Sequence, residues 1–242
     1  MAKKEIGIFL IHGVTKTNKE LELIKNYLEK DKRIGVCLPL LPGHGTCPYG
    51  NETCLKHFWE TTPDKWLAHA EKEFNGWKND FNKVYVGGIS LGGSISLFLA
   101  AKYKEIDGVI LFGTPIFLAK ILSMTYSLSN VVLWTINKVN KQFKRANLNG
   151  QYHGLPIAKL MKIKLFIDES RKKLPQIHQP VLIFHSKRDD VANPKSVGYL
   201  ARNLASKYKE IVWVDTLHGV DISSEEQVQF ISTKIANFVR GV

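Results

Sequence analysis

Gly88-Ile89-Ser90-Leu91-Gly92 follows the apolar run Val84-Tyr85-Val86 and opens onto a helical pattern from Leu91 to Lys104. A serine held between a strand and a helix sits on a strained turn that pushes its hydroxyl out of the sheet, and flanking glycines let neighbouring backbone pass closely. The stretch therefore asks for a strand behind it and a helix in front, and it marks Ser90 as a candidate nucleophile. The five-residue pattern alone is weak. Its weight comes from the strand-turn-helix context and from the chain order of its partners.

Those partners are Asp189, after the apolar run Val181-Leu182-Ile183-Phe184, and His218, after Ile211-Val212-Trp213-Val214. Short continuous apolar runs of this kind suit buried parallel strands. Ser, Asp, His is the chain order of the α/β-hydrolases and differs from the chymotrypsin and subtilisin orders. Asp190 and Asp215 are alternatives for the acid. His185 competes with His218 and reads as a packed or hydrogen-bonded scaffold histidine.

Further landmarks are Leu10-Ile11-His12-Gly13-Val14 after the first strand and Pro42-Gly43-His44-Gly45 after the second. Gly93 extends the serine motif, Arg188-Asp189-Asp190-Val191 is followed by Asn193-Pro194, and His218 precedes Gly219. On these residues the chain resembles a bacterial carboxylesterase of the small α/β-hydrolase type, related to monoacylglycerol lipases, over nearly its whole length. The resemblance implies an α/β-hydrolase fold, a mostly parallel sheet flanked by helices with a helical cap insertion. It favours Asp189 as the acid, through its strand-end position, and Val14 as a backbone N–H donor to an oxyanion. It also implies acyl esters of short-to-medium chains, or monoacylglycerols, as the substrate class.

The chemistry read from the residues is acyl transfer. Ser90 attacks an acyl carbonyl, His218 takes its proton and returns one to the leaving alcohol, and Asp189 orients the imidazole. The Leu91 N–H, on the residue after the nucleophile, is one oxyanion donor. His12 reads as a support for the loop that carries Val14, and His44 as bonding locally. Activity is expected to fall on acidification as His218 is protonated.

Composition is that of a soluble globular protein, with 44% hydrophobic and 23% charged residues in 242. The start, Met1-Ala2-Lys3-Lys4-Glu5, leads directly into Ile6-Gly7-Ile8-Phe9-Leu10-Ile11, an apolar run too short for an export signal. A cytoplasmic location is expected. Cys37, Cys47 and Cys54 imply no disulfide framework, and no metal or cofactor is expected.

The regular alternation of strands and helices breaks after Gly113-Thr114-Pro115 and resumes near Pro180. The expected organisation is a hydrolase core of residues 1–114 and 180–242 with a helical cap at 115–179. Within the cap, Ile121 to Asn137 reads as an amphipathic helix and Pro156 to Lys173 as a second one. Ile116, Phe117, Leu118, Ile121, Met124, Tyr126, Leu128 and Trp134 are candidates to line an apolar acyl pocket, with cap-to-core contact as the alternative for most.

The net charge of +12 is concentrated in this insertion, where Pro115 to Lys173 holds eleven basic residues against Asp168 and Glu169. A solvated lysine-rich face accounts for it most simply, and peripheral contact with an anionic membrane is the functional alternative. No reader motif accompanies the charge, so nucleic acid is not an expected partner. The sequence assigns no oligomeric state. The expected partner is a small-molecule ester, and the nearest rival reading is an acyl-thioesterase or acyltransferase using the same three residues, with the basic cap meeting a phosphorylated or acidic carrier.

Overall fold

Each apolar run singled out in the sequence becomes a strand, and every neighbouring pair of strands is parallel. In the computed structural model, residues 3–45, 57–118, 157–219 and 224–241 are described. The strands among them are β1 (Lys4–Ile11), β2 (Ile34–Cys37), β3 (Phe81–Ile89), β4 (Gly108–Phe112), β5 (Val181–Ser186) and β6 (Lys209–Val214). They form one sheet in the order β2-β1-β3-β4-β5-β6. The chain steps outward from β1 to β2, returns to the other side of β1 as β3, and then runs on to β6. That reversal makes a topological switch point between β1 and β3, at whose carboxyl ends open α/β sheets place their ligands.

Strand side chains alternate between two apolar layers. Phe9, Ile11, Val84, Val86, Val109, Leu111, Val181 and Ile183 face one layer. Ile8, Leu10, Tyr85, Ile110, Phe112, Leu182 and Phe184 face the other. The second layer is closed by α1 (Glu22–Leu28) and α6 (Glu225–Gly241), through Ile24, Leu28, Ile231, Ile235 and Phe238. The first is closed by α2 (Pro63–Trp77), α3 (Leu91–Lys102), α4 (Ile157–Arg171) and α5 (Lys195–Asn203). Burial on both faces explains why β1, β3, β4 and β5 read as continuous apolar runs, whereas β6, expected to be buried, is an edge strand with Ile211 and Trp213 exposed.

Helix starts follow local chemistry. Pro63 lies in the first turn of α2, where a missing N–H costs nothing, and the Thr62 hydroxyl accepts from the Lys65 N–H at 3.4 Å. Ser224 accepts from the Gln227 N–H at 3.2 Å, and Glu225 and Glu226 occupy the first turn of α6. No side-chain cap starts α1. Thr17 is extended but its hydroxyl forms no capping bond, and a 3-10 turn, Asn18–Leu21, intervenes before α1 starts at Glu22. The polar ends of this turn are committed elsewhere: Asn18 donates to the Leu38 carbonyl at 3.2 Å and Glu20 accepts from Gly13.

α4 realises the second helix expected in the insertion. Its buried positions Lys159, Ile163, Phe166, Ile167 and Ser170 recur at helical spacing, and Phe166 meets Phe98 of α3 with ring centroids 4.7 Å apart. A lysine heads this stripe where the 57–61 segment turns carbonyls toward it. The Lys159 ammonium donates to the Phe58 carbonyl at 2.6 Å, to Trp59 at 3.2 Å and to Thr61, and lies over the Phe58 and Trp66 rings. Burial, reinforced by Lys162 and Lys65, lowers its pKa to about 8. The expected helix Ile121 to Asn137, and Cys47 and Cys54, lie outside the described residues. Among the described residues no helix is long and apolar enough to cross a membrane.

Replacing Lys159 with methionine keeps the apolar stem and removes a donor shared by three carbonyls, of which that of Phe58 still accepts from the Thr61 hydroxyl at 2.9 Å. The expected loss is about 1–3 kcal/mol of unfolding free energy in urea, against under about 0.5 kcal/mol for Leu165→Gln on the exposed side of the same helix. Equal effects at the two positions would remove Lys159 as the anchor of α4.

Candidate active site

Ser90 has φ 53° and ψ −113°, and is the one non-glycine residue with positive φ among the described residues. A side chain in that region costs about 1–3 kcal/mol and persists only where surrounding contacts enforce it. The enforcing contacts are visible. The Ser90 N–H donates to the Phe112 carbonyl at 2.8 Å, anchoring the turn to the end of β4. On the helix side, a Cβ at Gly92 would lie 2.1 Å from the Ile11 carbonyl oxygen, and one at Gly88 would lie 2.5 Å from the same atom. Only hydrogen at those two positions lets the first turn of α3 press against the end of β1.

The same approach sets Leu91, first residue of α3, beside the loop His12-Gly13-Val14. The Leu91 N–H belongs to a helix start and has no intrahelical acceptor. The loop is held peptide by peptide. Glu20 Oε2 accepts from the Gly13 N–H at 2.9 Å. His12 Nδ1 lies 2.8 Å from the Gly13 carbonyl oxygen, while its Nε2 accepts from the Leu41 N–H at 3.2 Å. That pair of partners fits only the neutral Nδ1–H tautomer. Because C=O and N–H of a trans peptide point oppositely, pinning the Gly13 carbonyl aims the Val14 N–H the other way. Finally, His44 Nε2 contacts the Val14 carbonyl at 2.7 Å and Nδ1 the Pro42 carbonyl at 3.2 Å. His44 thus does more than the local bonding expected of it.

Burial keeps both rings uncharged. It lowers the pKa of His12 to about 4 and that of His44 to about 3, with the neighbouring ring adding to the effect on His44. The rings stand 4.9 Å apart, and His44 also meets Phe58 and Trp66 edge-on. The Trp66 indole donates to the Pro42 carbonyl at 2.9 Å, so α2 fixes the same loop.

Asp189 and His218 come together after β5 and β6. His218 Nδ1 is 2.8 Å from Asp189 Oδ1 and 2.9 Å from Oδ2. The carboxylate is fully buried, and Oδ1 also accepts from the Val191 and Ala192 N–H groups at 2.9 and 2.7 Å. Of the alternative acids, Asp215 is exposed and pairs with Arg188 at 3.2 Å, and Asp190 is exposed. His185 is a scaffold residue, as expected: it is fully buried, its Nε2 is 3.2 Å from the Ala192 carbonyl, and burial lowers its pKa. Two glycines bring the Asp-His pair to the serine turn. A Cβ on Gly113 would lie 2.8 Å from the Gly219 nitrogen and 3.2 Å from Asp189 Oδ2, and one on Gly219 would lie 2.9 Å from the side chain of Ile89. The His218-Gly219 turn therefore rests on the residue preceding Ser90.

Of the apolar candidates, Ile116 is buried in the core and Phe117 packs edge-on against Tyr199 at 5.2 Å. The backbone N–H groups of both donate to the Ser196 hydroxyl at 3.1 Å. Ile121, Met124 and Trp134 lie outside the described residues. Sequence reasoning missed Glu20, Leu41 and Ser196, whose contributions run through backbone groups and leave no spacing signature.

This architecture defines a class, the serine hydrolases of the α/β-hydrolase type, and comparison with known proteins agrees. The family model described as serine aminopeptidase, S33, matches residues 3–219, and the chain belongs to that family. It is 25% identical over 236 residues to a thermostable monoacylglycerol lipase from Bacillus sp. (strain H-257), covering 97% of this chain and 91% of that protein. Among solved structures, a monoacylglycerol lipase from Paleococcus ferrophilus is similar with a TM-score of 0.72 at 16% identity, covering 98% of this chain and 95% of that one. A soluble variant of the Saccharomyces cerevisiae monoglyceride lipase is similar with a TM-score of 0.73 at 16% identity, covering 100% and 88%.

The neutral histidines give a pH prediction. Unfolded, each ring takes up a proton near pH 6.5; folded, His12 waits until about 4 and His44 until about 3. Between those limits the unfolded chain binds more protons, so stability falls as pH drops below about 6.5. Proton NMR titration of the ring resonances should show His12 and His44 still neutral at about pH 5. Titration of either near its unperturbed value would contradict the account of the loop.

Proposed function

We propose that the protein is a serine carboxylesterase that hydrolyses lipophilic esters of short-to-medium acyl chains or monoacylglycerols. The observation that carries this reading is the meeting of the strained Ser90 turn with the buried Asp189 carboxylate on His218 Nδ1, Gly219 beside His218 closing on Ile89 beside Ser90. The monoacylglycerol lipases among its relatives support the substrate class.

The Ser90 hydroxyl attacks the ester carbonyl as His218 Nε2 takes its proton. Asp189 holds Nδ1–H and offsets the charge of the imidazolium. The oxyanion is met by the Leu91 and Val14 N–H groups, already fixed in direction, so no reorganisation is needed when charge develops. Collapse breaks the ester C–O bond, the alcohol leaves with the proton from Nε2, and an acyl-Ser90 remains. Water then attacks, giving its proton to His218, and release of the acid restores the hydroxyl. The acyl chain would be received by apolar residues of the insertion 115–179, in keeping with the lipase relatives.

The test is a panel of p-nitrophenyl esters of increasing acyl length, monoacylglycerols, matched acyl-thioesters and an amino-acid p-nitroanilide. Ester kcat/KM is expected to exceed that for thioester and anilide and to peak at short or medium acyl length. Ser90→Ala should lower ester kcat by at least about 10,000-fold, as should His218→Ala. Preference for the thioester would favour the transferase-type reading, preference for the anilide a peptidase, and near-normal turnover by Ser90→Ala would overturn the site.

A further inference from the structure

Glu20 is the one acidic residue of the Asn18–Leu21 turn, and in sequence it looks like an ordinary surface charge ahead of α1. Its carboxylate does not point to bulk solvent. Oε2 accepts from the Gly13 N–H, and a Cβ on Gly13 would have Oε2 and Oε1 at 3.3 and 3.9 Å, so the carboxylate lies across the Cα of Gly13. The groups that act on it are the Gly13 N–H, Lys16 and His218. His218 Nδ1 bonds Asp189, which His185 Nε2 approaches at 3.9 Å. Gly13, under the Glu20 carboxylate, and Gly219, beside His218, both close on the Ile89 side chain, where a Cβ would lie 3.8 and 2.9 Å from it.

We propose that Glu20 is a positioning residue for the hydrolytic site, holding the Gly13 N–H so that the adjoining Val14 N–H stays aimed at the oxyanion, and presenting a second negative charge to the imidazolium form of His218. This deepens the serine-esterase reading and rests on it. Three successive groups of the loop, the Gly13 N–H, the Gly13 carbonyl and the Val14 carbonyl, are each held by a different side chain: Glu20, His12 and His44. Of these only Glu20 can carry a negative charge. His218 is neutral before attack and positive in the transition state, so a nearby anion stabilises the transition state more than the bound ester, and its effect falls on kcat rather than on KM.

Burial raises the Glu20 pKa, with the Gly13 N–H, Lys16 and His218 opposing. Acidification therefore neutralises Glu20 earlier than an exposed glutamate, and its contribution is lost with it. The contribution of Glu20 to folded stability has the same origin: because its folded pKa is raised, the native state binds the proton more readily, and this group makes the fold less stable as pH rises through that folded value.

The experiment compares wild type, Glu20→Gln and Glu20→Ala on p-nitrophenyl butyrate across pH, with competent sites counted by burst titration with a serine-directed phosphonate. Glu20→Ala removes both the acceptor and the charge, and kcat per titrated site is expected to fall about 10- to 100-fold with KM within about threefold. Glu20→Gln keeps an oxygen for the Gly13 N–H and should recover part of that loss. It should also move the acid limb of its kcat profile to lower pH, because an imidazolium without the second anion is less favoured. A Glu20→Gln enzyme with kcat per site within twofold of wild type and an unmoved acid limb overturns the proposal, whatever the alanine variant does. A loss in Glu20→Gln that tracks only the number of titratable sites also overturns it, since that is the mark of a folding role. A wild type that neither turns over ester nor labels at Ser90 overturns the parent reading and this one together, so the two failures are distinguishable.

Discussion

The contact on which everything else depends is the one between the start of α3 and the end of β1. With no side chain at Gly92 or Gly88, the Ile11 carbonyl is approached so closely that any Cβ would overlap it. That approach forces the chain at Ser90 into positive φ, sets the Leu91 N–H beside the Val14 loop, and leaves the serine at the crevice rather than within the sheet. Strain of about 1–3 kcal/mol at one residue is thus held by a backbone contact between two elements that are themselves anchored in the apolar layers. Because the contact is between main chains, it tolerates many choices of side chain elsewhere but almost none at these two positions.

Burial then divides the histidines by role. His12, His44 and His185 are enclosed, and desolvation holds all three neutral at ordinary pH, which suits rings that hold backbone groups. His218 is partly exposed and touches a buried carboxylate, which suits a ring that must gain and lose a proton. One residue type supplies the fixed scaffold and, in the proposed mechanism, the moving proton. The difference comes from solvent access and from whether the partner is a carbonyl or a carboxylate.

Most of the sheet was legible in the sequence because its strands are buried on both faces and so appear as continuous apolar runs, as at Ile8-Phe9-Leu10-Ile11 and Val181-Leu182-Ile183-Phe184. Ser90, Asp189 and His218 were legible because a nucleophile on such a turn requires partners in a fixed chain order. What was not legible acts through the backbone or over long sequence distance. Glu20 bonds a peptide N–H seven residues away, His44 a carbonyl thirty residues away, and Lys159 three carbonyls about a hundred residues away. The 3-10 turn ahead of α1 has a related cause: Asn18 and Glu20 are drawn to the ends of β2 and β1. The apolar candidates of the insertion were ambiguous because core contact and ligand contact demand the same residues, as Ile116 illustrates.

The most direct test of the central claim is a crystal structure of the protein after reaction with a serine-directed alkyl phosphonate, which reproduces the tetrahedral oxyanion. The account predicts phosphorus bonded to Ser90 Oγ, the phosphoryl oxygen within about 3 Å of the Leu91 and Val14 nitrogens, and His218 Nε2 facing the leaving-group side. Phosphorus on another residue, or a phosphoryl oxygen turned away from both N–H groups, would contradict it.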